Sequence, residues 1–169
     1  MPLDANIKKA VRDEMIAFCN LAEKYESRWS YSQNRPFKGF GAAPQTWHVD
    51  DCSAYCSLVF YWAMHHVRAA PMTDPLNYHY SGWGNTGTAY AYLKKHKIPN
   101  DNKFYVGDMA IFWNPSENRT VHMMICKKNG VEGTAKWSSF GSQAGPSERT
   151  SIYYHPSPLL GVYRHEALL

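Results

Sequence analysis

The chain has 169 residues, of which 44% are hydrophobic and 19% charged, the balance of a single globular domain with one core. The net charge of +4 comes from scattered Lys and Arg residues without a long basic run, which argues against nucleic acid as the ligand. The longest apolar-rich stretch, residues 54–70, is interrupted by Ser57, two His residues and Arg68, which excludes it as a membrane-spanning segment.

The sequence also bears on the compartment in which the protein is made. Its first 12 residues lack the charged-then-apolar order of a secretory signal, so we expect synthesis in the cytoplasm. The four Cys residues lack the spacing of a disulfide framework and are typical of free thiols in a reducing compartment. A substrate outside the membrane would then be reached only after the protein is released or delivered.

The N-terminal region is predicted to be one amphipathic helix. Ile7, Val11 and Met15 begin a series of apolar residues at steps of three and four, which marks one face of a helix over residues 4–27. This face should pack on the body of the domain. We assign residues 1–30 to this helical segment.

The middle of the chain is predicted to hold a long loop and two further helices. Residues 31–50 are rich in Tyr, Ser, Pro and Gly, which indicates an ordered loop of a length that is usually functional. A helix over residues 51–68 is apolar on nearly every side and should be the buried, central helix. A shorter helix is predicted over residues 88–96.

The second half of the chain is predicted to form an antiparallel sheet. Short runs typical of strands cover residues 109–113, 121–126, 135–140 and 161–164. Asn129-Gly130, between the second and third runs, is a hairpin turn signal. Helices first and an antiparallel sheet second predict an α+β fold in which the central helix packs on the C-terminal sheet.

Cys52 is the first candidate for chemistry, because it opens the central helix directly after Asp50 and Asp51. Partial positive charge at a helix N-terminus stabilises a thiolate, so we expect a lowered pKa and a nucleophilic sulfur. The alternative for any Cys is that it is a small buried apolar residue. Cys19, Cys56 and Cys126 fit that alternative well, since each lies among apolar neighbours.

His122 is the second candidate, because it lies within a predicted strand and is followed by three apolar residues. A lone His in a strand is more often structural than catalytic. A base on a sheet that faces a thiol at a helix tip, however, is the geometry that cysteine hydrolases use. We therefore predict Cys52 as nucleophile and His122 as general base.

Three motifs in chain order support this pair: Asp51-Cys52-Ser53, residues 106–112 around Gly107-Asp108, and Val121-His122-Met123-Met124-Ile125. Together they resemble the signatures of the NlpC-like family of papain-fold cell-wall peptidases. The resemblance implies a papain-like arrangement, with residues 1–169 as one domain and residues 51–169 as its catalytic core. It also implies hydrolysis of an amide bond in the stem peptide of bacterial peptidoglycan, without a cofactor or metal.

Further segments resemble the phage lysin and virion-associated members of that family, namely residues 31–36, 82–88 and 141–146. This likeness implies a role during lysis or in a virion, with other phage proteins as partners. One departure is Phe140, which stands where these relatives carry a His that orients the catalytic imidazole. Ser138 and Ser139 are the nearest polar candidates for that role. Ser138 is expected to share a strand face with Phe140, and Ser139 only if the strand bulges.

Other residues are predicted to shape the site. The resemblance implies that Tyr31 orients the site or binds the tetrahedral intermediate. Asp51 is expected to cap the central helix, with contact to a substrate amine as the alternative. Trp83 and Trp47 are candidates for a substrate groove, with packing as an equal alternative.

Three other functions remain open at this point. Cys52 and Cys56 lie one helical turn apart, which permits a zinc site, although no second pair at matching spacing appears. The change at Phe140 also fits a phage structural protein that binds peptidoglycan with little or no catalysis. A thiol amidase or transpeptidase acting on another amide would use the same two residues.

Overall fold

A computed structural model describes residues 1–99, 101–142 and 145–169. Within these ranges the chain forms three α-helices: α1 (Ala5–Lys24), α2 (Cys52–Val67) and α3 (Thr86–Leu93). Short 3-10 helices cover Glu26–Arg28, Lys94–His96 and Glu166–Leu168. None of the helices in these ranges combines the length and the apolar character needed to span a bilayer.

The same ranges contain nine strands: β1 (Trp29–Tyr31), β2 (His48–Asp50), β3 (Lys103–Phe104), β4 (Met109–Asn114), β5 (Arg119–Lys128), β6 (Gly130–Val131), β7 (Lys136–Phe140), β8 (Pro146–Arg149) and β9 (Leu159–Tyr163). Five of them form an antiparallel sheet in the order β8-β7-β5-β4-β9. A parallel pair, β1 and β2, and an antiparallel pair, β3 and β6, are separate from it. This mixture of helices and antiparallel sheet agrees with the predicted α+β class.

Helix α1 forms where the apolar series predicts it and is capped by Asp4. The Asp4 carboxylate accepts hydrogen bonds from the backbone N–H groups of Asn6 and Ile7, both at 3.0 Å. A side-chain cap of this kind stabilises a helix by about 1 kcal/mol. The buried stripe, which includes Val11 and Met15, packs on α2.

Helix α2 is the buried centre of the molecule. Ten of its 16 residues are buried and they lie on all sides of the helix, as its mainly apolar sequence predicts. Asp51 caps its first turn, and the helix ends at Arg68, which adopts a left-handed conformation with φ of 57°. The nucleophile candidate is therefore anchored on the buried central helix of the fold.

The five-stranded sheet separates two apolar clusters. Its helix side carries Met109, Ile111, Met123, Ile125 and Phe140. Its outer side carries Ala110, Phe112, Met124, Cys126 and Trp137. Neighbouring residues of a strand point to opposite sides, so His122 lies on the outer side with Met124, opposite Phe112 of β4.

Two expected features of the connections are wrong in detail. The region 31–50 is not only a loop, because β2 lies within it and pairs in parallel with β1. Strands of three residues are too short to produce an alternating pattern. Gly130 does not form a two-residue hairpin either: it belongs to β6, and β7 follows only after a further turn.

Two smaller points concern the start of α3 and the motif over residues 141–146. Helix α3 begins at Thr86, two residues earlier than expected, because Asn85 and Thr88 form a capping box with reciprocal hydrogen bonds. In the motif over residues 141–146, Gln143 and Ala144 lie outside the described residues.

Candidate active site

Cys52 lies at the junction of β2 and α2, as the first residue of the helix. The residue is 3% exposed and forms part of the wall of a cavity of about 360 Å³. Segments that are far apart in the sequence line this cavity: Gln33, Arg35, Asp51, Cys52, Ser53, Asn85, Thr86, Gly87, Arg119, Thr120 and Val121. The cavity therefore lies next to the thiol and is built from four segments that only the folded chain brings together.

The segments that contain residues 31–36 and 82–88 are joined beside this cavity by two hydrogen bonds. The Phe37 N–H donates to the carbonyl of Gly82 at 2.9 Å, and Arg35 Nε donates to the carbonyl of Gly84 at 2.8 Å. Gly82 adopts a φ of 87°, and a Cβ at this position would lie 2.2 Å from the Phe37 carbonyl oxygen. The glycine in the motif is thus explained by close backbone packing beside the cleft.

Asp51 caps α2 and is paired with a cation. Its Oδ1 accepts from the Ala54 N–H at 2.9 Å and from Ser53 Oγ at 2.8 Å. Its Oδ2 accepts from Arg35 Nη2 at 2.7 Å. Both carboxylate oxygens are therefore engaged, and Arg35 offsets part of the negative charge next to Cys52.

The Cys52 thiol is neutral, contrary to the expectation from its helix position. Burial, followed by the negative charge of Asp51, raises the pKa of Cys52 to about 12. Hydrogen bonds from the backbone N–H groups of Met123 and Ser53 act in the opposite direction but are outweighed. The helix terminus was expected to lower this pKa; removal of the sulfur from water is the larger effect.

His122 is held by two hydroxyl groups on the outer side of the sheet. Its Nε2 lies 2.9 Å from Ser139 Oγ and 2.8 Å from Tyr154 Oη, and these two oxygens are 2.6 Å apart. The imidazole stacks on His155 with ring centroids 4.9 Å apart. Burial, followed by the nearby His155 and Arg149, lowers the pKa of His122 to about 3, so the ring is neutral.

Cys52 and His122 lie in neighbouring cavities and are not hydrogen-bonded to each other anywhere in the described structure. His122 lines a second cavity of about 460 Å³, and Val121 is part of the wall of both cavities. The backbone N–H of Met123 is directed at the Cys52 sulfur, so β5 passes close to the thiol. The structure thus brings the strand that carries His122 to Cys52, without a hydrogen bond between the two side chains among the described residues.

Ser138 and Ser139, the two candidate partners of His122, lie on opposite sides of β7. Ser139 reaches His122 without any bulge in its pairing with β8. Ser138 lies on the helix side with Phe140 and its Oγ is 2.7 Å from Tyr55 Oη. As expected for a strand without a bulge, Ser139 does not share the side of Phe140; it reaches His122 because His122 itself lies on the outer side of the sheet.

Tyr31 lines the His122 cavity, whereas the two tryptophans lie elsewhere. The Tyr31 hydroxyl accepts from Gln33 Nε2 at 3.2 Å. Burial, followed by the proximity of Cys52, raises the pKa of Tyr31. Trp83 is 54% exposed and Trp47 76% exposed, and neither lines the cavity at Cys52 or the cavity at His122. Trp83 is therefore not a residue of this site in the free protein.

Three residues of the site were missed by the sequence analysis. Tyr154 and His155 lie in the irregular segment between β8 and β9, and Arg149 ends β8. No periodicity or turn pattern distinguishes residues of such a segment from ordinary surface residues. Arg35 lies within a motif that was noted, but its ion pair with Asp51 depends on the tertiary fold.

The donors that suggested a metal site do not converge. His48 is buried, stacks on Trp29 and places its Nδ1 3.3 Å from Asp50 Oδ2. All four cysteines are free and buried. Within the part of the chain that the structure describes, no three His, Cys, Asp or Glu side chains are grouped in a way that could hold a metal ion.

No family model and no curated protein matches the sequence. Among solved structures, the chain is similar to NlpC2 from Trichomonas vaginalis, with a TM-score of 0.51 and 13% sequence identity. The similarity covers 90% of this chain and 47% of that protein, so the chain spans about half the length of its structural relative. The chain has an NlpC-like fold. At this identity the similarity concerns the fold alone, and the roles of Cys52 and His122 rest on their surroundings.

Proposed function

We propose that the protein is a cysteine hydrolase that cleaves an amide bond in the stem peptide of bacterial peptidoglycan. The observation that carries this proposal is the position of Cys52: its sulfur lies at the first turn of a buried helix, in the wall of a cleft, beside the strand that carries His122. An NlpC-like fold supports the same reaction class. The sequence motifs shared with phage relatives favour a lysin or a virion-associated hydrolase that acts after release from the cell.

The chemistry starts from two neutral groups. As the Cys52 sulfur attacks the scissile carbonyl carbon, His122 accepts the thiol proton and later donates it to the departing amine. Water then hydrolyses the thioester and regenerates the thiol. The backbone N–H of Cys52, at the positive end of α2, is the donor nearest to the developing oxyanion.

The proton transfer requires contact between the thiol and the imidazole. The two side chains belong to adjoining cavities that share Val121, and we assign their contact to the substrate complex. Catalytic hydrogen bonds are often long in free enzymes and tighten only when substrate is bound. Substrate in the cleft also displaces water, which strengthens the interaction between the two groups.

A second function is favoured by one specific observation. The thiol and the imidazole are both neutral and not hydrogen-bonded, which fits a protein that binds peptidoglycan through this cleft without cutting it. In that case Cys52 serves only as a small buried residue.

The decisive experiment is mass spectrometry of peptidoglycan fragments after incubation with the purified protein. We expect new peptide ends with the wild type, and none with Cys52→Ala. Cys56→Ala is the matched control, since Cys56 lies one turn further along the same helix and is fully buried. If the wild-type digest equals that of untreated wall while the protein still sediments with it, the binding function replaces the hydrolase.

A further inference from the structure

Among the described residues, the hydrogen bonds of His122 involve only one of its two ring nitrogens. Nε2 is within hydrogen-bond distance of both Ser139 Oγ and Tyr154 Oη. The Nδ1 atom forms no hydrogen bond within the described residues. A neutral imidazole carries its proton on one nitrogen only, so the two hydroxyls decide which nitrogen remains free to accept a proton.

Tyr154 is the more constrained of the two hydroxyl groups. Its ring meets the Phe112 ring edge-on, with centroids 5.9 Å apart, and the Arg149 guanidinium lies 4.6 Å above its centre. Burial raises the pKa of the Tyr154 hydroxyl, whereas Arg149, whose guanidinium can only donate, acts to lower this pKa and so favours the oxygen as an acceptor. Tyr154 comes from the segment between β8 and β9, far in sequence from the strand position at Phe140.

The available protons can be assigned consistently. The Tyr154 oxygen accepts from His122 Nε2–H at 2.8 Å, and its own proton is donated to Ser139 Oγ at 2.6 Å. The Ser139 proton then turns into the cavity, since a hydroxyl rotates freely about its C–O bond. This assignment leaves His122 Nδ1 without a proton.

We propose that Tyr154 is the positioning residue of this site: it accepts the Nε2–H of His122, with Ser139 as its support, and so keeps Nδ1 available for the Cys52 proton. The role of Tyr154 in catalysis rests on the proposed hydrolase function. The position of the proton on His122 does not depend on catalysis. A neutral phenol performs here the orienting role for which a His was expected at residue 140. Because the phenol of Tyr154 carries no negative charge, it does not stabilise a protonated, positively charged His122.

The proton position can be measured without any substrate. Nitrogen-15 NMR of protein labelled at His distinguishes the two neutral tautomers, and His122→Gln identifies the signals of His122 among the eight His residues. We expect the Nε2–H tautomer in the wild type and a shift toward the Nδ1–H tautomer in Tyr154→Phe. An Nδ1–H tautomer in the wild type would overturn the proposal, whatever the outcome of the peptidoglycan digest.

Kinetics supply the second readout once hydrolysis is established. Tyr154→Phe keeps the ring and removes only the hydroxyl, so we expect kcat to fall about 10- to 100-fold with KM changed less than about twofold. This is below the ~10⁴-fold loss for the triad carboxylate of serine proteases, because Ser139 remains as an acceptor. Tyr153→Phe is the matched control, since Tyr153 is 65% exposed. An unchanged kcat in Tyr154→Phe, or an equal loss in Tyr153→Phe, would contradict the assignment.

Discussion

The two sides of the central sheet hold the two candidate catalytic residues in different surroundings. On the helix side, Cys52 adjoins the Asp51–Arg35 ion pair, and the negative charge of Asp51 opposes a thiolate. On the outer side, the described neighbours of His122 are two hydroxyls and several aromatic rings, and burial, His155 and Arg149 oppose an imidazolium. Each side therefore disfavours the charged form that an ion pair between the two residues would require.

This difference shows that position at a helix N-terminus does not by itself activate a cysteine. The partial charge of a helix terminus contributes at most about 2 kcal/mol. Burial of a charged group in a well-packed interior costs more than that. A neutral pair that transfers its proton during attack is the chemistry consistent with both sides of the sheet.

Thiol alkylation tests the Cys52 side, where the largest effect is expected. With a pKa of about 12, the thiolate fraction at neutral pH is ~10³-fold smaller than for an ordinary thiol of pKa near 8.5. We expect Cys52 in the native protein to react with iodoacetamide at least that much more slowly than in the urea-unfolded chain. Peptide mass spectrometry after timed quenching measures the rate at each cysteine.

The pH dependence separates low reactivity from simple lack of access. A neutral thiol predicts a rate that rises about tenfold per pH unit from pH 7 to 10. An alkylation rate that is already constant above about pH 7 would mean that the pKa of Cys52 is lowered. The conclusion that its surroundings disfavour a thiolate would then be wrong. Cys19, which is buried on α1, provides the internal control for opening of the whole core.

Acid unfolding tests the His122 side. The unfolded chain takes up a proton at His122 near pH 6.5, whereas the folded protein resists it down to about pH 3. His122 therefore leaves the free energy of unfolding unchanged above pH 6.5 and lowers it as the pH falls through this window. The expected loss is about 3 kcal/mol at roughly pH 4.

Urea titrations of wild type and His122→Gln at several pH values measure this contribution. We expect a flatter dependence on pH in the variant, whatever its stability at pH 7. His79→Asn is the control, because His79 is exposed and Asn also accepts its φ of 53°. Equal slopes for wild type and His122→Gln would mean that the imidazole is hydrated in the folded protein.

The fold could be predicted wherever the pattern is long and repetitive. Helices α1 and α2 and the four longer strands of the sheet were located by apolar periodicity, with ends that differ by a few residues. The β1–β2 pair and β8 were missed, because three or four residues are too few to display alternation. The short pairing of β3 with β6 depends on tertiary contacts that no local pattern encodes.

The site could be predicted only in part, for a related reason. Cys52, Asp51 and His122 stand in local motifs, but the side of the sheet on which His122 lies follows from the register of β5 with β4. Side chains alternate between the two sides of a strand, so an error of one residue in the predicted register places His122 on the wrong side of the sheet. Tyr154 belongs to an irregular segment, so its contact with His122 appears only in the folded chain.

Ser138 and Ser139 are adjacent on β7 but lie on opposite sides of the sheet, so replacing each one tests whether the two sides are independent. These variants have the smallest expected effects. Ser138→Ala removes the partner of the buried Tyr55 hydroxyl, so we expect a loss of roughly 1 to 2 kcal/mol in the free energy of unfolding, with the tautomer of His122 unchanged. Ser139→Ala leaves Tyr154 and His122 bonded to each other, so we expect a loss below about 1 kcal/mol, with a change in the His122 signals. Urea unfolding and nitrogen-15 NMR on the same two variants make both measurements. If Ser138→Ala changes the His122 signals as strongly as Ser139→Ala does, a substitution on the helix side of the sheet affects the imidazole on the outer side. The two sides would then not be independent.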